Sequence, residues 1–152
     1  MERPILSFEQ DEAGDWAARL SCGHRQHTRH NPPFAERTWV LDEAGRASRI
    51  GAGLDCVLCD RAELPSECEP YKRTKTFDEE TVPAGLRANH STKAGVWGLI
   101  HVESGELEYR IEGDDAATRI LRPGEVPGTV VPEVLHRVDP IGSVRFYVEF
   151  WR

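Results

Sequence analysis

The chain has 152 residues, of which 39% are hydrophobic and 30% are charged, a composition of a folded globular protein and not of a disordered tail. Its formal net charge of −7 disfavours binding to nucleic acid, because contacts with phosphate backbones need a positive field. No segment reaches the ~18 apolar residues of a membrane span, and the N-terminus lacks the features of an export signal, so we expect a cytoplasmic protein.

The first predicted element is a β-hairpin over residues 5–20. Residues 6–9 alternate apolar and polar side chains, residues 11–15 have turn composition, and residues 16–20 resume the extended pattern. Further along, the sequence predicts a short strand at residues 38–41, a turn at residues 42–45, and a knuckle that leads into a short helix at residues 56–64.

Two pairs of metal-ligand residues accompany these elements, Cys22-x-His24 and Cys56-x-x-Cys59. Each pair brings two donors together in a tight turn, and two such pairs complete the tetrahedral shell of a zinc ion. We predict a zinc site formed by Cys22, His24, Cys56 and Cys59, with His27 as a substitute ligand. A closed shell of four ligands makes the zinc structural, since a catalytic zinc keeps one position open.

Other interpretations of this segment stay open. The cysteines could be reduced thiols beside a polar run of histidines, whereas a thioredoxin-like redox pair is disfavoured because no βαβ pattern surrounds them. His30 is a further candidate ligand, and Arg25, Arg29 and His30 beside a zinc knuckle could contact RNA. The acidic balance of the chain argues against contact with RNA. Cys68 is expected to take no part in the zinc site.

Residues 65–73 are mostly polar and contain two prolines, so we predict a linker there. It separates a zinc-binding Cys/His module at residues 1–64 from a second domain at residues 74–152. The second domain shows short apolar runs divided by turn residues, which is typical of an all-β barrel or sandwich. The predicted strands are residues 96–102, 106–111, 118–121, 128–131 and 144–150. The expected fold class is therefore mainly β, with a small zinc-binding β module followed by a β-barrel or sandwich.

The first module also carries a family resemblance. The segment LSCGHRQHTRHNPP from residue 20, together with Trp39-Val40, Gly45-Arg46 and Cys56-Val-Leu-Cys59, resembles a short bacterial family of unknown function. The resemblance covers about residues 3–62 and implies a module but no activity.

A second resemblance covers roughly residues 70–152. The segments LRANHSTKAGVWG from residue 86, GELEYRI from residue 105, PEVLH from residue 132 and RFYVEFW from residue 145 resemble the tellurite-resistance-B-like family, which is cupin-like. The resemblance implies a cupin-type fold more firmly than it implies a reaction.

The cupin resemblance implies a metal site in the second domain. Cupin barrels bring histidines from two distant strands to one barrel mouth, and His90 and His136 stand at the two corresponding places. They are expected to hold a divalent metal such as Zn, Fe or Ni. The second histidine and the glutamate of the usual first motif are absent, because Thr92, Lys93 and Gly98 occupy that region.

Glu133 and Glu149 are the carboxylates expected to supplement the two histidines. Glu149 could equally face outward, because strand residues alternate between faces, and both histidines could be hydrogen-bonded structural residues. Lys93 and Trp97 are expected near the barrel mouth, where they could bind a small oxyanion or an organic acid.

These observations favour a metal-binding stress-response protein whose cupin-like domain holds a metal and a small anionic ligand. One alternative is a metal-dependent cupin oxygenase or isomerase that uses His90 and His136. Another is an interaction protein, in which the zinc module contacts a partner or RNA and the barrel forms a homodimer through an exposed strand edge.

Overall fold

The computed structural model describes residues 1–28, 37–113 and 116–152. Arg29 and His30, two of the candidate contacts named above, lie outside the described residues. The described chain divides into two compact units, Met1–Pro65 and Ser66–Arg152, and both consist mainly of β-strands, as predicted. No helix in the described ranges is both long enough and apolar enough to cross a membrane.

The N-terminal unit is built on a four-stranded antiparallel sheet in the order β3-β2-β1-β4. Its strands are β1 (Glu2–Gln10), β2 (Trp16–Leu20), β3 (Arg25–His27) and β4 (Gly53–Asp55). Strands β1 and β2 pair from Ile5↔Leu20 to Gln10↔Trp16, which confirms the predicted hairpin. A short helix, α2 (Val57–Asp60), follows β4, as predicted.

The prediction of a strand at residues 38–41 is wrong. Residues Thr38–Val40 form a 3-10 helix, and the predicted turn becomes helix α1 (Glu43–Ala47), whose first turn is capped by the Asp42 carboxylate. The Gly45 N–H donates to that carboxylate at 2.7 Å. Trp39 packs edge-on against Phe8 of β1, with ring centroids 5.7 Å apart, so tertiary packing and the helix cap override the extended pattern of this segment.

The C-terminal unit is built around two long antiparallel strands, β7 (Trp97–Ile111) and β10 (His136–Trp151). Strands β8 (Ala117–Leu121) and β9 (Gly128–Val130) also pair with β7, on the edge away from β10. Strands β5 (Pro70–Arg73) and β6 (Phe77–Asp78) pair with β10, and a short helix, α3 (Ala84–Arg87), follows β6. The second half of the predicted linker is therefore strand β5.

Strand β7 contains the two strands predicted at residues 96–102 and 106–111, joined by a bend where a turn was predicted. At the bend Gly105 has φ +76°, and a Cβ atom there would stand 2.0 Å from the carbonyl oxygen of Ser143 in β10. Only glycine fits this position, because the left-handed backbone and the close approach both exclude a side chain. The register of β7 against β10 shifts here, between the pairs Ile141↔Glu106 and Arg145↔Ser104, and the pairing continues on both sides.

Alternation along β10 divides its residues between the interior and the outer face. Val144, Phe146 and Val148 belong to the buried core of this unit, whereas Tyr147 and Glu149 are on the opposite face. The core also contains residues of β6 to β9, among them Phe77, Ile100, Leu107, Tyr109, Leu121 and Val130. A single continuous apolar interior thus supports the C-terminal unit.

Candidate functional site

Cys22, His24, Cys56 and Cys59 meet at one end of the N-terminal sheet. Strands β2 and β4 both pair antiparallel with β1, so they run parallel to each other and finish at the same end. The Cys22–His24 turn follows β2, and Cys56 directly follows β4. Strand topology therefore joins two ligand pairs that are distant in sequence.

Local turns aim the donors inward. Gly23 has φ +92°, a conformation that glycine adopts readily, and its N–H donates to the Leu20 carbonyl at 2.9 Å. On the other side, the Cys59 N–H donates to the Cys56 carbonyl at 3.1 Å, which places both thiols of the knuckle on one turn.

The four donor atoms lie within 4.8 Å of one another, and all four residues are buried. His24 Nδ1 is 3.4 Å from Cys22 Sγ, 3.4 Å from Cys56 Sγ and 3.7 Å from Cys59 Sγ, and the sulfurs of Cys22 and Cys56 are 4.0 Å apart. A tetrahedral zinc ion with Zn–S and Zn–N bonds of about 2.3 and 2.1 Å separates its ligand atoms by roughly 3.5–3.8 Å. The donor set and its spacing therefore fit zinc.

The cluster concentrates negative charge. A hydrogen bond with Cys59 lowers the pKa of Cys22 to about 5, while the same contact and burial raise the pKa of Cys59 and burial raises that of Cys56. A Zn²⁺ ion with three thiolates and one imidazole carries a net charge of −1. Arg3 is buried, at 5% exposure, and its positive charge favours the Cys59 thiolate against the larger opposing effects.

Two other candidates of this unit lie away from the cluster. His27, in β3, is half exposed and approaches Asp11, with 3.6 Å between Nδ1 and Oδ2. Arg25 forms an ion pair with Glu9. Its guanidinium group, which the RNA interpretation assigned to a phosphate contact, is therefore already paired with a carboxylate. Within the described ranges, Cys22, His24, Cys56 and Cys59 make up the one group of three or more residues able to hold a metal.

The C-terminal unit contains a cavity of about 520 Å³. Its walls are largely aliphatic and aromatic, and include Ile100, Val130, Val138, Phe146, Val148 and Phe150. His90 and His136 line the same cavity. A concave apolar site with a few convergent polar groups is the usual form of a small-molecule site.

His90 and His136 are joined by a short backbone bridge, with reciprocal N–H to carbonyl bonds of 3.0 and 2.9 Å. Their ring centroids are 4.2 Å apart. The Nδ1 of His90 is 3.0 Å from the Ala88 carbonyl, and that of His136 is 2.9 Å from the Val134 carbonyl. Because a carbonyl only accepts, each Nδ1 carries a proton, and in the neutral form of the ring Nε2 is then an acceptor. Burial lowers the pKa of His136 to about 4, so its ring is neutral at neutral pH.

The charged residues that line the cavity are all basic. They are Lys72, Lys93 and Arg152, all exposed, and the lining includes no Asp or Glu. None of the three forms an ion pair with another described residue, although Arg152 stacks on the ring of Tyr71 at 4.4 Å. In a chain with 26 acidic and 19 basic residues, this lining is a local reversal of charge.

Comparison with known families agrees with this division into two units. The model for the TehB-like domain matches residues 72–148, which are 77 of the 152 residues. The chain belongs to the TehB-like domain family. The model for a protein of unknown function, DUF3565, matches residues 6–63, so that module is fused to the TehB-like domain. No curated protein matches the chain.

Two solved structures show the fold of the TehB-like domain. TehB from Haemophilus influenzae is 24% identical with a TM-score of 0.53, and the match covers 57% of this chain and 32% of that one. A protein from E. coli strain K12 is 19% identical with a TM-score of 0.53, covering 59% of this chain and 95% of that one. The chain thus spans about a third of the length of H. influenzae TehB, and identities this low show the fold alone.

The remaining predicted site residues of the TehB-like domain take different places. Glu149 lies on the outer face, where its Oε2 is 3.1 Å from His101 Nε2. Glu133 is exposed with φ +63°, and Trp97 is fully buried. None of these three is among the residues that line the cavity, whereas Lys93 is.

Two basic residues at this cavity, Lys72 and Arg152, were not predicted from the sequence. Lys72 was assigned to the linker, but it is in β5, directly opposite Phe150 of β10, and so shares the inward face. The residues of the Pro70–Arg73 segment could have indicated a strand, but the prolines nearby favoured a linker.

Proposed function

We propose that the protein is a ligand-binding protein in which the TehB-like domain holds a small anion in its cavity and a structural zinc ion stabilises the N-terminal module. The observation that carries the first part is the lining of the cavity, with three basic residues, two imidazoles and no carboxylate. Anions are attracted to such a site, and its apolar walls strengthen the attraction by excluding water.

The structural role of the zinc follows from the number of donors. Cys22, His24, Cys56 and Cys59 supply four ligands from buried positions, which fills the tetrahedral shell of zinc and leaves no position for a substrate. Zinc bound there would supply folding energy to the module and no chemistry.

A cupin-like barrel and a role in stress response remain part of this proposal. Both rest on the resemblance to the tellurite-resistance-B-like family, and the chain covers only about a third of H. influenzae TehB. The activity of that whole protein is not transferred to this chain.

Binding of 8-anilinonaphthalene-1-sulfonate, an aromatic anion whose fluorescence rises in apolar sites, tests the anion site. We expect one saturable site per chain and about tenfold weaker binding by a Lys72→Gln/Lys93→Gln variant, because two charges that attract the sulfonate are removed. Lys75→Gln is the matched control, since Lys75 is exposed but does not line the cavity.

The neutral relative N-phenyl-1-naphthylamine separates charge from apolar contact. Its affinity is expected to be equal for the wild type and the double variant. An unchanged affinity of the double variant for the sulfonate, or the lack of a one-to-one site, would contradict the anion-binding function.

A second candidate function is metal-dependent chemistry at His90 and His136, as in an oxygenase or isomerase. The observation that favours it is the anchoring of both Nδ1–H groups by backbone carbonyls, the usual support for a histidine that binds metal through Nε2. With no carboxylate in the cavity lining, the protein offers two nitrogen ligands, and further ligands would come from water or a bound anion. Retention of Ni²⁺ by the wild type, lost in His90→Ala/His136→Ala, tests this candidate.

A further inference from the structure

The size and walls of the cavity indicate what kind of anion it takes. A volume of about 520 Å³ falls in the range of sites for organic molecules, and a bare inorganic oxyanion would leave most of it empty. Leu86, Val96 and Phe150 line the cavity and are partly exposed, so they present apolar surface to it. Such walls cannot replace the water around a small oxyanion, and its transfer to them is costly. An apolar body fits them instead.

The basic residues determine where the charge of the ligand lies. Lys72 and Lys93 are exposed, so they stand at the mouth of the cavity, whereas His136 is 3% exposed and lies inside. A carboxylate is stabilised beside the two ammonium groups. At the histidines it would meet the Nε2 lone pairs, which are acceptors like its own oxygens.

The histidine pair determines what the inner end of the ligand carries. Both Nδ1–H groups donate to backbone carbonyls, and within the described chain neither Nε2 has a hydrogen-bond partner. Both histidines line the cavity, and in the neutral ring each Nε2 is an acceptor that can take a hydrogen bond from a donor group of the ligand. A hydroxyl group supplies that donor without adding charge.

We infer that the ligand is a hydroxylated organic acid with an apolar body, whose carboxylate lies beside Lys72 and Lys93 and whose hydroxyl donates to the His90–His136 pair. This inference rests on the proposed anion-binding function of the same cavity, and names the class of ligand and its orientation.

Calorimetric titration of the full chain with three flexible eight-carbon compounds tests the inference. Octanoate has the acid alone, octane-1,8-diol has hydroxyls alone, and 8-hydroxyoctanoate has both groups, so no fixed distance between the two ends is assumed. We expect 8-hydroxyoctanoate to bind about fivefold more tightly than octanoate, the effect of one neutral hydrogen bond. We expect it to bind about tenfold more tightly than the diol.

Two variants assign each advantage to its end of the cavity. The advantage over the diol is expected to disappear in Lys72→Gln/Lys93→Gln and to persist in Lys75→Gln. The advantage over octanoate is expected to disappear in His90→Phe, which removes one acceptor and keeps a ring. The comparison of compounds on the wild type needs no variant, so it holds even if His90→Phe fails to fold.

The sign of the hydroxyl effect decides the outcome. Without acceptors at the inner end, burying a hydroxyl is unfavourable, and octanoate would bind as tightly as 8-hydroxyoctanoate or more tightly. That result would overturn the inference and leave the anion-binding function intact. Displacement of octanoate by an equal concentration of sodium tellurite would do the same, because it would show that the cavity takes a bare inorganic oxyanion. Lack of one-to-one binding by both acids would contradict the proposed function itself.

Discussion

The two units of this chain place their potential metal ligands in opposite situations. The N-terminal cluster assembles four buried donors within 4.8 Å, a number that fills the shell of a zinc ion. The C-terminal unit offers two imidazoles on the wall of a 520 Å³ cavity lined by no carboxylate. The first arrangement is closed and suits a structural role, whereas the second is open and suits an exchangeable ligand.

The amount of apolar core within each unit accounts for this difference. The buried side chains of the N-terminal unit are mostly small, among them Ala17, Ala18 and the three clustered cysteines, so little apolar area supports its fold. The C-terminal unit has a continuous core of eleven buried residues. A small module with little core is expected to depend on a bound metal for stability, and a unit with its own core can leave a cavity open for binding.

The largest expected effect follows from removing ligands of the N-terminal cluster. Cys56→Ser/Cys59→Ser should unfold this unit while the C-terminal unit stays folded, because structural zinc contributes on the order of 10 kcal/mol to such modules. Amide signals of the two units in a ¹H–¹⁵N spectrum measure the two responses separately.

Cys68→Ser is the matched control for that variant, since Cys68 does not belong to the cluster. It is expected to behave like the wild type. A folded N-terminal unit in the double variant would show that its stability comes from packing and not from metal.

The second effect concerns the bend that shapes the C-terminal unit. Gly105→Ala should destabilise this unit by about 3 kcal/mol or more, because a Cβ would meet the Ser143 carbonyl at 2.0 Å in a left-handed conformation. Gly124→Ala is the control, with φ +75° and no atom within 4 Å of the added Cβ, and is expected to cost only about 1–2 kcal/mol. Chemical denaturation followed by the C-terminal amides compares them, and equal losses would show that the close approach to β10 is unimportant.

The third effect is the pH dependence of the C-terminal unit. The pKa of His136 is about 4 in the folded chain and 6.5 as its ordinary value, so the unfolded chain takes up the proton first as the pH falls. The contribution of the neutral His136 ring to the free energy of unfolding is fully present above pH 6.5. It is lost between pH 6.5 and 4, by up to about 3 kcal/mol. Unfolding free energies of wild type and His136→Gln across this range should converge as the pH falls, and parallel curves would contradict the buried neutral ring.

The smallest effect tests charge compensation at the closed site. Arg3→Met should weaken zinc binding about tenfold, because the buried guanidinium offsets the net charge of −1 on a zinc ion with three thiolates. Arg3→Lys keeps the charge and should retain most of the affinity. Competition with a chromophoric chelator measures both variants, and equal affinities of Arg3→Met and wild type would remove Arg3 from the site.

Much of this comparison could be predicted from the sequence, and for physical reasons. The spacing within Cys22-x-His24 and Cys56-x-x-Cys59 reports local turns, which sequence patterns describe well. The parallel directions of β2 and β4, which bring the pairs together, depend on pairing with β1 and are not local. Whether His27 could replace one of the four ligands also could not be decided locally. The register of β3 against β2 holds it beside Asp11.

In the C-terminal unit, local patterns could not determine the features that depend on long-range strand pairing. A glycine such as Gly105 indicates a turn in a local pattern, yet here β7 continues through it, because its pairing with β10 resumes beyond a shift of register. Alternation allowed Glu149 to point either way, and its place on the outer face became visible only from the burial of Phe146 and Val148 in the core. Lys72 was missed because the prolines of its segment indicated a linker.

Elemental analysis of the purified protein tests the central contrast most directly. It compares the wild type with Cys56→Ser/Cys59→Ser and His90→Ala/His136→Ala, all purified without added metal. We predict one zinc per chain in the wild type and in the histidine variant, and none in the cysteine variant. A second tightly bound metal that disappears only in the histidine variant, or a wild type without zinc, would contradict the assignment of a closed structural site and an open ligand site.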